Sequence, residues 1–164
     1  MERGIMKDKF TLRDCLIQAI TMNKNKKIYA PPQGEMEVQT QIDVKATLTE
    51  TPPDDLNKCL VLADYNFQQE IKEITINKGV VQISVTVRVI YEFDPSEKDD
   101  IKAHSDEVRN YLYTEGLSVA FPYWRMEIIH LMAMAGLSPI PIPPRLDETE
   151  MNDAAVSSME NTEE

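Results

Sequence analysis

The sequence predicts an α+β fold, in which a four-stranded antiparallel sheet (a meander) is followed by a long C-terminal helix and a proline-rich strap. Two segments, 35–49 and 81–93, alternate apolar and polar residues as half-buried strands do. A segment near the C-terminus, 117–135, has apolar residues at helical spacing instead. Because the strands come first and the helices follow, we expect the helices on one side of the sheet.

Each strand has its own signal. In 35–49 one face carries Val38, Ile42 and Val44, and the other is polar. The run 81–93 is rich in β-branched residues, which strands prefer. Between them, 59–77 changes phase, which predicts a bulge around Lys72 or Glu73.

Local signals also mark the connections. Asn77-Lys78-Gly79 predicts a tight hairpin, because Asn and Gly tolerate positive φ. Upstream, 10–22 fits both helical and strand periodicity, so the pattern alone does not decide.

The last part of the chain combines a helix with a strap. After Asp94-Pro95-Ser96 the pattern is helical, and Pro122 predicts that the final helix starts or bends there. Gly136 predicts its left-handed end. The segment 137–144 holds four prolines and displays Leu137, Ile140 and Ile142 as isolated apolar side chains.

The stretch 121–144, FPYWRMEIIHLMAMAGLSPIPIPP, resembles the C-terminal signature of SecB-like export chaperones. The resemblance rests on FPY-x-R, on Ala135-Gly136 and on the spaced prolines that follow. It departs after Pro144, where 145–147 lead into an acidic tail instead of a sequence entering a last helix. The resemblance implies a first strand at 10–22 and a tetramer built as a dimer of dimers. It also implies the export ATPase SecA as a partner.

The resemblance suggests two sets of functional residues. A groove would hold unfolded polypeptide at Ile28, Tyr29, Val38, Ile42, Val44, Leu137, Ile140 and Ile142. The final helix would form the subunit interface through Leu117, Phe121, Trp124, Ile128, Leu131, Met132 and Ala135.

Composition limits the function classes. We expect one domain over 1–146 and an acidic, disordered tail over 147–164, which carries seven acidic residues and no basic one. A net charge of −11 argues against nucleic acid as a partner, because that binding depends on neutralising phosphates. No apolar run is long enough to span a membrane. The two cysteines are too few and too far apart to suggest a disulfide framework, which fits a reducing cytoplasm best.

No catalytic or metal site is evident in the sequence. His104 and His130 have no ligand partners at metal-binding spacing, and there is no glycine-rich phosphate loop. We therefore expect no metal, no cofactor and no enzyme activity. The predicted function is that of an ATP-independent chaperone that holds unfolded or nascent polypeptides. The alternatives are a SecB-like chaperone dedicated to one client, such as an antitoxin, and a non-chaperone adaptor of the same fold.

Overall fold

A computed structural model describes residues 6–24, 36–49, 51–53, 56–73 and 78–137. Four long strands come first, and helical segments follow, as predicted. The strands are β1 (Thr11–Lys24), β2 (Met36–Leu48), β3 (Cys59–Glu73) and β4 (Lys78–Phe93). After a 3₁₀ turn (Pro95–Glu97), the helices are α1 (Lys98–Ala103), α2 (Ser105–Tyr111) and α3 (Leu117–Met134), with a π-helical turn (Leu112–Gly116) before α3.

The strands form one antiparallel sheet in the order β1-β4-β3-β2. The predicted four-stranded antiparallel sheet is confirmed, and β2, β3 and β4 form a meander. The first strand departs from that order, because β1 pairs with β4 and not with β2, which is a Greek-key arrangement. This pairing puts β4, with its row of buried apolar side chains, in the middle of the sheet beneath the helices. Local periodicity carries no information on such a long-range pairing.

Two irregularities in β1 explain why its sequence is ambiguous. Its register with β4 shifts between Leu12 and Asp14 and again between Ile17 and Ala19. A bulge moves the following side chains to the other face. The apolar residues on the helix side of β1 are therefore unevenly spaced, at Leu12, Cys15, Ile17, Ile20 and Met22. The register of β3 with β4 shifts between Ile71 and Lys72, next to the predicted bulge, but the extra residue is Val80 of β4 and not a residue of β3.

The core lies between the helices and one face of the sheet. The alternating residues of β3 and β4 on this face are almost all buried. Trp124 of α3 stacks on Phe67 of β3, with ring centroids 5.0 Å apart and planes 15° from parallel. At the other end, Phe10 stacks on Tyr111, with centroids 5.4 Å apart. Aromatic pairs of this kind add to the stability that their buried area already provides.

The π-helical turn fits closely against the sheet at one glycine. The hydroxyl of Tyr65 donates a hydrogen bond of 2.6 Å to the carbonyl oxygen of Leu112. A Cβ atom added to Gly116 would lie 1.9 Å from the Tyr65 hydroxyl oxygen. Burial raises the pKa of Tyr65 well above its ordinary value, so this hydroxyl remains a donor at all physiological pH values. Only glycine allows this approach between helix and sheet.

The end of α3 matches the sequence prediction at Gly136, whose φ is +74°. The amide of Leu137 donates to the carbonyl of Met132 at 3.0 Å, and Leu137 packs back against the core. The helix does not start at Pro122, as one reading of the sequence had it, but at Leu117. Pro122 and Ser118 are both exposed, so water can satisfy the Ser118 carbonyl that the proline leaves without its helical donor. The strap after Leu137 and the acidic tail lie outside the described residues.

Candidate functional site

The face of the sheet beneath the helices has two edges that α3 covers unequally. α3 packs mainly on β4, with further contacts to β1 and β3. On β3 and β4 the residues of this face are buried, whereas on β1 and β2 most of them are half-buried or exposed. Both edges of one apolar face thus extend beyond the helix layer.

The β2 edge forms an apolar strip, interrupted at Thr40. Its residues Val38, Ile42, Val44 and Leu48 are half-buried and pack at the margin of the core. Ile42 lies opposite Phe67, on which Trp124 stacks, so the strip borders an aromatic wall. No ionisable residue of β2 faces this side, because its acidic and basic residues alternate onto the opposite face. We call Val38, Ile42, Val44 and Leu48 the β2 strip.

The backbone of β2 is regular along its whole length. Its register with β3 runs from Met36 to Leu48 without a shift. Because β2 is the last strand of the sheet, alternate N–H and C=O groups along its outer side have no partner strand within the described sheet. Such an edge can accept an extended polypeptide as an added strand, and the strip then supplies pockets for alternate side chains.

The structure brings together only part of the predicted groove. Val38, Ile42 and Val44 lie on one face of β2, as the alternation indicated. Leu137 is half-buried against the core at the end of α3. Four predicted groove residues lie outside the described residues, namely Ile28, Tyr29, Ile140 and Ile142. The sequence prediction omitted Leu48, although the same alternation extends to it.

The predicted interface residues are all buried within the single chain. Leu117, Phe121, Trp124, Ile128, Leu131, Met132 and Ala135 belong to the core between α3 and the sheet. Trp124, for example, is 4% exposed and packs between Phe67 and Phe121. The exposed side chains of α3 are therefore those on the side that faces away from the sheet.

The large exposed hydrophobic side chains of the described residues belong to β1 and α3. They are Leu12, Ile20, Tyr123, Met126 and Met134, with Met126 and Met134 62% and 65% exposed. Tyr123, Met126 and Met134 fall on one side of the helix because of their spacing. β1 and α3 also contact each other. We call these five residues the β1/α3 patch.

The described residues offer little chemistry beyond these surfaces. They contain no group of three or more His, Cys, Asp or Glu side chains arranged to hold a metal. Burial, and to a lesser degree Asp14, raises the pKa of the Cys15 thiol to about 11. Cys15 is therefore a protonated, weakly nucleophilic thiol at neutral pH. None of the helices in the described part of the chain is both long and apolar enough to cross a bilayer.

The comparisons with known proteins bear on the fold. No protein-family model and no curated protein matches the sequence. Among solved structures, the chain is similar to the SecB-like chaperone Rv1957 of Mycobacterium tuberculosis, in complex with a ChAD peptide from the HigA1 antitoxin. The TM-score is 0.63 at 15% identity, over 87% of this chain and 94% of that one. The chain has a SecB-like fold. The fold that the 121–144 stretch suggested is therefore confirmed.

Proposed function

We propose that this protein is an ATP-independent chaperone that holds unfolded polypeptides in extended form. The observation that carries the proposal is the β2 edge, where an unbroken strand that pairs with no described strand on its outer side lies beside an apolar strip. Backbone hydrogen bonds to the edge are independent of client sequence, and the hydrophobic effect is non-directional. A site of this kind suits many different clients.

The energetics favour many weak contacts over one strong one. Fully burying an aliphatic side chain is worth about 1.5 to 3 kcal/mol, and the half-buried residues of the β2 strip have part of this still to gain. Ordering a flexible client opposes that gain. Useful affinity then requires several client residues to bind at once, as in multivalent binding. Two apolar side chains at alternate positions form the minimal recognition unit.

A paired set of variants tests the role of the β2 strip. Ile42→Ser with Val44→Ser should weaken suppression of client aggregation by about 10-fold or more, since two apolar contacts are lost. Lys45→Ser with Thr47→Ser changes the opposite face of the same strand and is the matched control. Equal suppression by the two variants, with native mass unchanged, would count against the β2 strip as the client site.

Leu137→Ser, Ile140→Ser and Ile142→Ser together test the strap in the same assay. We expect reduced suppression with the oligomer size intact. Unchanged suppression would limit the client site to β2.

A dedicated chaperone for a single client is the second candidate. It is favoured by the similar structure from Mycobacterium tuberculosis, which holds a peptide from one antitoxin. Client breadth separates the two proposals. Suppression of aggregation for several unrelated unfolded proteins supports the general chaperone, suppression for one supports the dedicated form, and suppression for none supports an adaptor.

We also propose that the chain assembles with copies of itself, as a dimer of dimers, through the β1/α3 patch. The patch contains every large exposed hydrophobic side chain of the described residues, and an edge strand such as β1 can pair with its own copy. Assembly on the β1 side would leave the β2 edge open. Protein export from the cytoplasm, with SecA receiving the client, is the setting that the resemblance suggests. Binding of purified SecA to the client-loaded protein tests this part.

A further inference from the structure

A depression on the open face of the sheet, away from the helices, is lined almost entirely by uncharged polar side chains. All four strands contribute to it, and its volume is about 430 Å³. Eight of its eleven lining residues lie in the open-face phase of their strands, and none of these eight is apolar. Five of the eight carry carboxamides, namely Asn23, Gln39, Gln41, Gln68 and Gln82. We call this surface the amide depression.

The strand register arranges most of these side chains in two rows across the sheet. Neighbouring strands are about 4.8 Å apart, so each row offers a hydrogen-bonding group at that interval. The rows are Asn23-Gln82-Glu70-Gln39 and Thr21-Ser84-Gln68-Gln41. A single carboxylate, that of Glu70, interrupts them, and the ammonium of Lys72 lies 3.4 Å from it.

The hydrogen bonds of this face use side-chain amide N–H groups as donors. Gln41 Nε2 donates to both carboxylate oxygens of Asp43, at 3.3 and 3.4 Å. Asn66 Nδ2 donates to the hydroxyls of Ser84 and Thr86 at 3.0 and 2.8 Å. Asn66 Oδ1 is buried and accepts no bond from any described residue.

This pattern defines the chemistry of a fitting ligand. The carboxamide rows offer both N–H donors and oxygen acceptors, so a fitting ligand supplies both. The near-neutral lining does not call for a charged ligand, and the lack of an aromatic side chain gives a sugar ring nothing to stack on. Carboxamide side chains supply two N–H donors and one acceptor each, and they pair with one another in amide ladders.

We infer that the amide depression binds an extended, uncharged polypeptide segment rich in Asn and Gln. This inference deepens the proposed function and rests on it, because it gives a chaperone a second surface for client segments that an apolar strip cannot hold. The two surfaces lie on opposite faces of the sheet, so one client could occupy both.

Fluorescence anisotropy with the full-length protein tests the inference. The probe is a labelled peptide of Asn, Gln and Ser, and the variant is Gln68→Met with Gln82→Met, which keeps side-chain length but removes hydrogen bonding. Both residues are exposed, so the fold should tolerate the change. Gln18→Met, on β1 and exposed but outside the depression, is the matched control.

We expect the double variant to weaken peptide binding about 5-fold or more, since each lost hydrogen bond is worth about 0.5 to 1.5 kcal/mol, and Gln18→Met to leave it unchanged. Equal affinities for the three proteins, or no binding by the natural sequence, would overturn the inference. The inference would also be overturned if a Lys/Arg/Ser peptide bound more tightly than the Asn/Gln/Ser probe and this binding were lost at high salt. Suppression of apolar-client aggregation, measured in parallel, should be the same for all three. If the natural sequence does not suppress this aggregation, the result would count against the proposed function instead.

Discussion

The two edge strands of this sheet differ although they border the same apolar face. β1 contains two bulges, contacts α3 and carries the large exposed side chains Leu12 and Ile20. β2 contains no bulge, and its apolar side chains are half-buried. Bulges twist an edge and restrict what can pair with it, whereas a regular edge can accept almost any extended chain.

This difference suggests a division of labour between the edges. A surface that assembles copies of one chain can be irregular, because the partner has the same irregularities. A surface that binds many sequences must present a repeated backbone pattern and small apolar pockets. We therefore propose that copies of the chain assemble through the β1 side and that clients bind the β2 side.

The largest effect is expected from disturbing the support that both edges share. Gly116→Ala would put a methyl group 1.9 Å from the Tyr65 hydroxyl oxygen, so the helix or the strand must move. We expect the free energy of unfolding to fall by about 2 to 4 kcal/mol, measured by urea denaturation, with both edges losing function together.

A double-mutant cycle tests the cause of that loss. Tyr65→Phe alone should cost about 0.5 to 1.5 kcal/mol, because one buried hydrogen bond is lost while the Leu117 amide still donates to the Leu112 carbonyl. Combined with Gly116→Ala it should cost clearly less than the sum, since the clashing oxygen is gone. Additive losses would contradict the close contact at Gly116.

The next largest effect separates the two edges. Leu12→Glu with Met126→Glu places like charges on the β1/α3 patch, and both positions are exposed in the single chain. Native mass spectrometry should show a smaller assembly, because like charges across an interface cost several kcal/mol. The affinity for a short apolar peptide should stay within about 3-fold of that of the natural sequence. Thr47→Glu, on the open face of β2, is the control. An assembly of unchanged mass would place the interface elsewhere.

The smallest effect concerns the turn after β4. Asp94 accepts hydrogen bonds from the Ser96 hydroxyl and amide and contacts Lys58, which lowers the pKa of its carboxyl to about 2. Because this pKa is lower in the folded state, the contribution to stability is present above about pH 4 and is lost as the pH falls toward 2.

Asp94→Asn should therefore be slightly less stable than the natural sequence at pH 7. In thermal unfolding the difference should close between pH 4 and pH 2. A difference that persists at pH 2 would show that the carboxylate is not its source.

The sequence was informative where structure depends on neighbouring residues. Alternation identified β2 and β4, a phase change lay next to the register shift between Ile71 and Lys72, and Gly136 marked the end of α3. It could not give the position of β1, because the pairing of β1 with β4 joins residues some 60 to 80 positions apart. Nor could it tell which face of α3 meets its own sheet, so the predicted interface residues turned out to be core residues.

The amide depression shows a different limit. Its glutamines occupy the polar phase of each strand, and that much is visible in the sequence. Only the register brings them into rows across four strands. The contact between Gly116 and Tyr65 likewise needs the folded chain, since the two residues lie on different elements.

Hydrogen exchange with mass spectrometry tests the division between the edges most directly. The assembled protein would be labelled with and without an excess of an unfolded, apolar client. We predict that amide exchange slows in 36–48 on client binding and is unchanged in 11–24. Slowing in β1 alone, or in neither strand while the client is held in solution, would contradict the assignment of clients to β2.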